Sequence, residues 1–246
     1  MNTKPTRIGM ITPSSNTVVE PVTFAMTAEL QPRVTAHFTR IEVKTISLEA
    51  DSLSHFDLSP MLRAAELLAD AEMDAIAWNG TSGAWRGLEH DEELCAAITQ
   101  ATGTPATTST LAQVAAFRAY GTQRYALAVP YLDSVRHAID ATFETAGFRC
   151  VSSAHLGIST NKDFAYVLEP EIRDLVQRSD SPEAEAIAII CTNFPAAWLV
   201  EEFEATHGKP VFDSTVLAVW HALRLAGHDA PISGWGRLMR NELAVT

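Results

Sequence analysis

The residue with the clearest chemical potential is Cys191. It closes the apolar run 186–190 and is followed at once by Thr192 and Asn193. A thiol where a strand gives way to a helix is expected to feel the helix N-terminus. Its pKa is then drawn down toward neutrality, and it can serve as a nucleophile or as an acid and base. The competing reading is a plain core residue, because free cysteine is among the most buried residue types. Cys95, inside an amphipathic helical stretch, and Cys150, in a strand, read as core.

Three other segments share this setting. Residues 13–16, 80–82 and 130–133 each end an apolar run and lead toward a helix. Together with 191–193 they are rich in small hydroxyl and amide side chains and carry no lysine or arginine. Backbone N–H groups at helix starts favour an anion. A carboxylate gripped by neutral donors can spread charge as a reaction proceeds. Tyr131 directly follows Pro130, so its hydroxyl can reach such a site, although a lone aromatic is more often core. Arg86, just past the 80–82 segment, reads equally well as a solvated surface arginine.

Several chemistries lack their signatures. The histidines, 8 in all, show neither H-x-H nor H-E-x-x-H spacing. There is no G-x-x-x-x-G-K-[ST] loop and no G-x-S-x-G elbow, and Gly234-Trp235-Gly236 is too short for a dinucleotide fingerprint.

The elements that must position these residues repeat along the chain. Residues 7–13 match 124–130, residues 74–82 match 185–193, and Gly103-Thr104-Pro105 matches Gly208-Lys209-Pro210. The order is the same and the offset nearly constant, which points to two similar lobes of about 110 residues. The alternative is that any two βα units look alike. Apolar runs at 8–12, 75–78, 126–129 and 186–190 lack polar alternation, as strands buried on both faces of a parallel sheet do. Helices are expected at 61–69, 91–101, 135–146, 169–177 and 197–206. The fold class is therefore α/β: two pseudo-symmetric lobes, each a parallel sheet flanked by helices. The expected division is a first lobe of residues 1–116, completed by 214–246, and a second of 117–213. Ligands of open parallel sheets bind beyond the strands' carboxyl ends, so the site belongs in the cleft between lobes.

Composition narrows the partners. The 246 residues carry 18 lysine plus arginine against 30 aspartate plus glutamate, a net charge of −12. Such a chain is a poor nucleic-acid binder. No apolar run approaches the roughly 18 residues of a membrane span. Met1 to Thr6 is short and polar, so no signal peptide is expected. Three scattered cysteines do not make a disulfide framework, which implies a reducing cytoplasm. The expected partner is a small carboxylic acid, and a homo-oligomer is left open.

At these residues the chain resembles the aspartate/glutamate racemase superfamily, in the branch of arylmalonate decarboxylases and maleate cis-trans isomerases. Pro13-Ser14-Ser15-Asn16 with Glu20 is similar to the isomerase motif P-S-S-N-x-x-x-E. Gly80-Thr81-Ser82 followed by Trp85-Arg86-Gly87 is similar to the decarboxylase G-T-S with its nearby aromatic-R-G. Thr107-Thr108-Ser109-Thr110 and Pro130-Tyr131 resemble both. Gly157-Ile158 with Asn161 resembles an isomerase segment whose asparagine contacts the substrate carboxylate. Cys191-Thr192-Asn193 is isomerase-like, and Gly234-Trp235-Gly236-Arg237-Leu238 is close to the decarboxylase G-Y-G-R-L.

One departure governs what the resemblance implies. Racemases and isomerases of the superfamily use two cysteines at pseudo-symmetric strand ends. Here the internal match pairs Cys191 with Gly80, as in the decarboxylases. The resemblance therefore implies a decarboxylase needing no cofactor and no metal. One carboxylate of a malonate-type acid would sit among Gly80, Thr81, Ser82, Tyr131 and backbone donors, and Asn16, Asn161, Thr192 and Asn193 would join in binding carboxylate. The other carboxylate would be lost as CO₂, and Cys191 would protonate the resulting enediolate. A maleate isomerase or Asp/Glu-type racemase acting on a small dicarboxylate is the first alternative. A carboxylate-binding protein without chemistry is the second. Pocket size is expected to depend on residues 39–52 and 157–164.

Overall fold

The computed structural model describes residues 4–46, 48–49 and 57–242. The first sheet comprises β1 (Thr6–Pro13), β2 (Val34–Ile41), β3 (Ala75–Trp78) and β4 (Ala106–Thr108), all parallel, in the order β2-β1-β3-β4. The second comprises β5 (Arg124–Val129), β6 (Arg149–His155), β7 (Ala186–Ile189) and β8 (Val211–Asp213), parallel, in the order β6-β5-β7-β8. The helices are α1 (Val19–Thr27), α2 (Leu58–Ala69), α3 (Gly83–Arg86), α4 (Leu88–Thr102), α5 (Ser109–Tyr120), α6 (Asp133–Thr145), α7 (Asn161–Phe164), α8 (Glu169–Ser179), α9 (Val200–His207) and α10 (Ser214–Leu225). Short 3-10 turns occupy Ala28–Leu30 and Pro195–Leu199.

The central strands form where apolar residues run unbroken. Every residue of β3 and β7 is buried, as strands covered on both faces require. The edge strands β2 and β6 are only half-buried. Their mixed composition, such as Val-Thr-Ala-His-Phe-Thr-Arg-Ile in β2, hides them from a search for continuous apolar runs. Strands β4 and β8 have three residues each and are too short to show a period.

The repeat holds at the level of strand register. Ile11 pairs with Trp78 and Trp78 with Thr108; Ala128 pairs with Ile189 and Ile189 with Asp213. Ser109 Oγ donates to Trp78 O (3.4 Å), and its counterpart Ser214 Oγ donates to Ile189 O (3.1 Å). The matched glycines end matched helices. Gly103 and Gly208 stand at φ 73° and 70° after α4 and α9, a conformation that costs glycine little. Helix α5 drives Phe117 among Tyr125, Phe143, Phe148 and Phe212, with centroids 5.0–5.9 Å away. Helix α10 packs on β3, β4 and α5. Each helix therefore leaves its own strand to touch the other half of the molecule.

Two sequence expectations change. The 197–206 helix is a 3-10 turn through Leu199 and α-helical only from Val200. Cys95 and Cys150 are half-buried rather than in the core. Among the described residues no helix is long and apolar enough to cross a membrane.

Candidate active site between the two sheets

A narrow cavity of about 10 Å³ lies at the strand ends. Its walls are Pro13, Val43, Ile46, Trp78, Gly80, Thr81, Trp85, Tyr131, Asn161, Cys191 and Thr192. Both halves of the chain contribute, and among the described residues the wall carries no charge.

Cys191 is buried, and its environment reverses the pKa shift expected from the sequence. Burial pushes the thiol up to about 12, against smaller downward pulls from Tyr131 and the Asn193 backbone N–H; the carboxyl of Asp213 raises it further. The segment after Cys191 enters a 3-10 turn rather than an α-helix, so no helix starts directly at the thiol, and desolvation decides. The thiol thus keeps its proton at neutral pH. Tyr131 is fully enclosed, and burial likewise raises its phenol well above the ordinary value. Its hydroxyl bonds Thr81 Oγ1 at 2.8 Å and also engages the Cys191 thiol. Trp85 and Phe164 pack edge-on to its ring at 5.3 and 5.2 Å. The result is a chain of neutral donors, Thr81–Tyr131–Cys191, across the cavity.

Asn16, Asn161 and Asn193 serve largely to tie the two halves together. Asn16 Oδ1 accepts from the N–H groups of Val18 and Val19 at the start of α1, and Nδ2 donates to Thr192 Oγ1 (3.3 Å). Thr192 Oγ1 donates to Asn79 O (2.8 Å). Asn193 accepts from Thr17 N (2.9 Å) and donates to Asn161 O (2.6 Å). Asn161 Nδ2 donates to Ser15 Oγ (2.8 Å). Alongside, Thr45 and Thr160 form an antiparallel bridge, and Ile46 N donates to Ser159 O.

Of the residues singled out from the sequence, Gly80, Thr81, Tyr131, Asn161, Cys191 and Thr192 reach the cavity wall. Asn16 and Asn193 stand behind it. Ser82 accepts from Trp78 Nε1 (3.3 Å) and lines a separate pocket with Arg86, His90 and Asp91. Arg86 is half-buried there rather than solvated. Of the segments expected to set pocket size, Val43, Ile46 and Asn161 are wall residues, while 47 and 50–52 lie outside the described residues.

Sequence reasoning missed three side chains. Trp78 was legible only as strand. Asp91, buried under Gly83, receives a short hydrogen bond of 2.5 Å from Thr108 Oγ1. Burial raises it to about 6 over the opposing pulls of Thr108, Thr110 and Arg86. Asp213 caps α10 by accepting from Thr215 N (2.9 Å) and Val216 N (3.2 Å), while its Oδ2 has no partner. Burial lifts it to about 7. The one available signal was the match of Asp213 to Thr108, a capping position in both halves.

A doubled parallel α/β fold with a buried thiol among uncharged donors at its strand ends defines the class: a two-sheet α/β protein with a candidate acid–base site. Comparison with known proteins gives the family. The arylmalonate decarboxylase profile matches residues 8–239, and the chain belongs to that family. The arylmalonate decarboxylase of Bordetella bronchiseptica is 32% identical over 157 residues, spanning 63% of this chain and 65% of that one. The maleate isomerase of Nocardia farcinica is 27% identical over 248 residues, 98% of each chain. The solved structure of a Nocardia farcinica maleate cis-trans isomerase bound to Tris superposes with a TM-score of 0.86 at 26% identity, covering 98% and 100% of the two chains. Unliganded arylmalonate decarboxylase superposes with a TM-score of 0.79 at 27% identity, covering 97% and 100%. The relatives thus include both a decarboxylase and an isomerase.

Proposed function

We propose that the protein is a cofactor-independent carboxy-lyase acting on a malonate-type acid that bears an apolar substituent on its central carbon. The observation that carries this reading is the single protonated thiol: Cys191 holds its proton up to about pH 12, and its counterpart, Gly80, offers no side chain. Thr81, Tyr131 and strand-end backbone N–H groups bind the retained carboxylate. The other carboxylate lies against Val43, Ile46, Trp78 and Trp85, where loss of hydration disfavours its charge. Its C–C bond breaks, CO₂ leaves, and the electron pair passes into an enediolate held by the neutral donors. Each well-aimed donor contributes about 3 kcal/mol in the transition state. The Cys191 S–H then delivers its proton to one face of the carbanionic carbon, and the thiolate recovers a proton from solvent.

The test is CO₂ release from 2-methyl-2-phenylmalonate with product chirality read by chromatography. Wild type is expected to give one enantiomer, and Cys191→Ser to lose about 10²–10⁴-fold in kcat. Full turnover in the serine variant removes the mechanism.

The end-to-end similarity to the Nocardia farcinica isomerase supports a second reading, cis-trans isomerisation of a small dicarboxylate. It would require Cys191 as a thiolate, the form that burial disfavours. Conversion of maleate to fumarate, followed by proton NMR, decides for this reading.

A further inference from the structure

Trp78 is completely buried at the end of β3. Residues two apart in extended chain share a face, so its side chain lies on the side where a residue-80 side chain would begin. A Cβ placed on Gly80 would stand 2.7 Å from the indole Nε1 and nearer still to Cε2 and Cζ2. Nonbonded carbons settle at about 3.5–4.0 Å. These atoms belong to the body of the ring, which is buried and anchored by Nε1–H donating to Ser82 Oγ. Gly80 is not among the glycines with positive φ. Space, rather than backbone conformation, keeps residue 80 bare.

The second half shows the opposite arrangement. Register places Ile189 where Trp78 stands, and Cys191 where Gly80 stands. One half carries a large indole beside no side chain; the other carries a smaller isoleucine beside a thiol.

We propose that Trp78 is the specificity-determining residue of the site. Its indole occupies the volume of a second acid–base side chain, so proton transfer is confined to the Cys191 face. The steric part stands by itself; the stereochemical consequence rests on the decarboxylase reading. Replacing the pair by Trp78→Ile and Gly80→Cys reproduces the second-half pair in the first. The introduced thiolate could then take the α-proton of a chiral 2-arylpropionate, and the Cys191 thiol could return a proton to the opposite face, inverting the centre with no net change in atoms.

The test compares wild type, Gly80→Cys, Trp78→Ile and the double variant. Gly80→Cys is expected to melt about 5 °C or more below wild type. Trp78→Ile alone also melts lower, yet the double variant melts above Gly80→Cys, because the two changes relieve one another. Wild-type melting of Gly80→Cys, or strictly additive shifts, overturns the steric claim. If a thiol variant does not fold, Gly80→Ala, which adds the same Cβ, completes the cycle in both backgrounds. In D₂O the double variant should place deuterium at the α-carbon at least 10-fold faster than either single variant. A folded double variant whose two site thiols are both alkylated by iodoacetamide, but which exchanges no faster, overturns the specificity claim. Absence of CO₂ release by wild type strikes the decarboxylase reading alone and leaves the melting cycle intact.

Discussion

At the residue scale, protonation states follow from burial. The Tyr131 hydroxyl joins Thr81 to Cys191. Tyr131→Phe keeps the packing and removes the hydroxyl, so kcat for decarboxylation is expected to fall about 10²–10³-fold with a smaller change in KM. An equal change in both constants would assign the hydroxyl to ground-state binding. Asp213 gives a pH prediction. Its folded pKa, about 7, lies above the ordinary 3.8, so its charged form is the disfavoured one. The associated stability is complete below about pH 4 and lost as pH rises through 7. Asp91, raised to about 6, acts in the same sense. Asp213→Asn keeps the oxygen that caps α10 and removes the charge. Its melting temperature relative to wild type should therefore climb from pH 5 to pH 8. A constant difference across that range contradicts the assignment.

At the scale of elements, each strand end hands its loop to the opposite half. The loop after β7 is fixed by Asn16, Asn79 and Thr17, all from the first half of the chain. The loop after β1 is fixed in return by Asn161 through Ser15. Asn16, Asn161, Thr192 and Asn193 were expected to bind carboxylate; in the structure their polar atoms are mostly spent on one another and on neighbouring groups. Asn193→Ala leaves Thr17 N–H and Asn161 O without their partners. A cost of about 2–3 kcal/mol is expected in urea unfolding. Faster amide exchange at Thr17 should accompany it if the contact holds the halves in place. Unchanged exchange with the same stability loss would make the bond a local one.

At the scale of the molecule, the net charge of −12 opposes a dianionic substrate while the cavity itself is neutral. Added salt screens that repulsion. The KM for a malonate-type dianion is expected to fall as NaCl rises from about 0.02 to 0.2 M, with kcat nearly constant. A KM that rises with salt would point to a positive guide near the entrance. Carboxylates of α9 also hold the segment from Gly236 to Arg240. There the backbone N–H groups of Gly236 and Arg237 donate to Glu201 and Glu204 of α9, and Arg240 pairs with Glu201. Trp235 rests on Trp198 with centroids 5.1 Å apart. The Gly234-Trp235-Gly236-Arg237 motif therefore acts here as a clasp closing on α9.

The α/β class, the doubling and the position of Cys191 could be read from the chain. Continuous apolar runs and a repeated spacing of turn residues are local properties, and buried parallel strands impose them on sequence directly. The edge strands and the three-residue strands escaped, since half-exposed or very short elements impose no such period. The protonation of Cys191, the diversion of Asn16, Asn161 and Asn193 into cross-links, the raised carboxyls of Asp91 and Asp213, and the indole seated over Gly80 were settled only by tertiary structure. Each depends on what surrounds a side chain in three dimensions, through desolvation, hydrogen-bond partners or occupied volume. No spacing along the chain encodes those quantities.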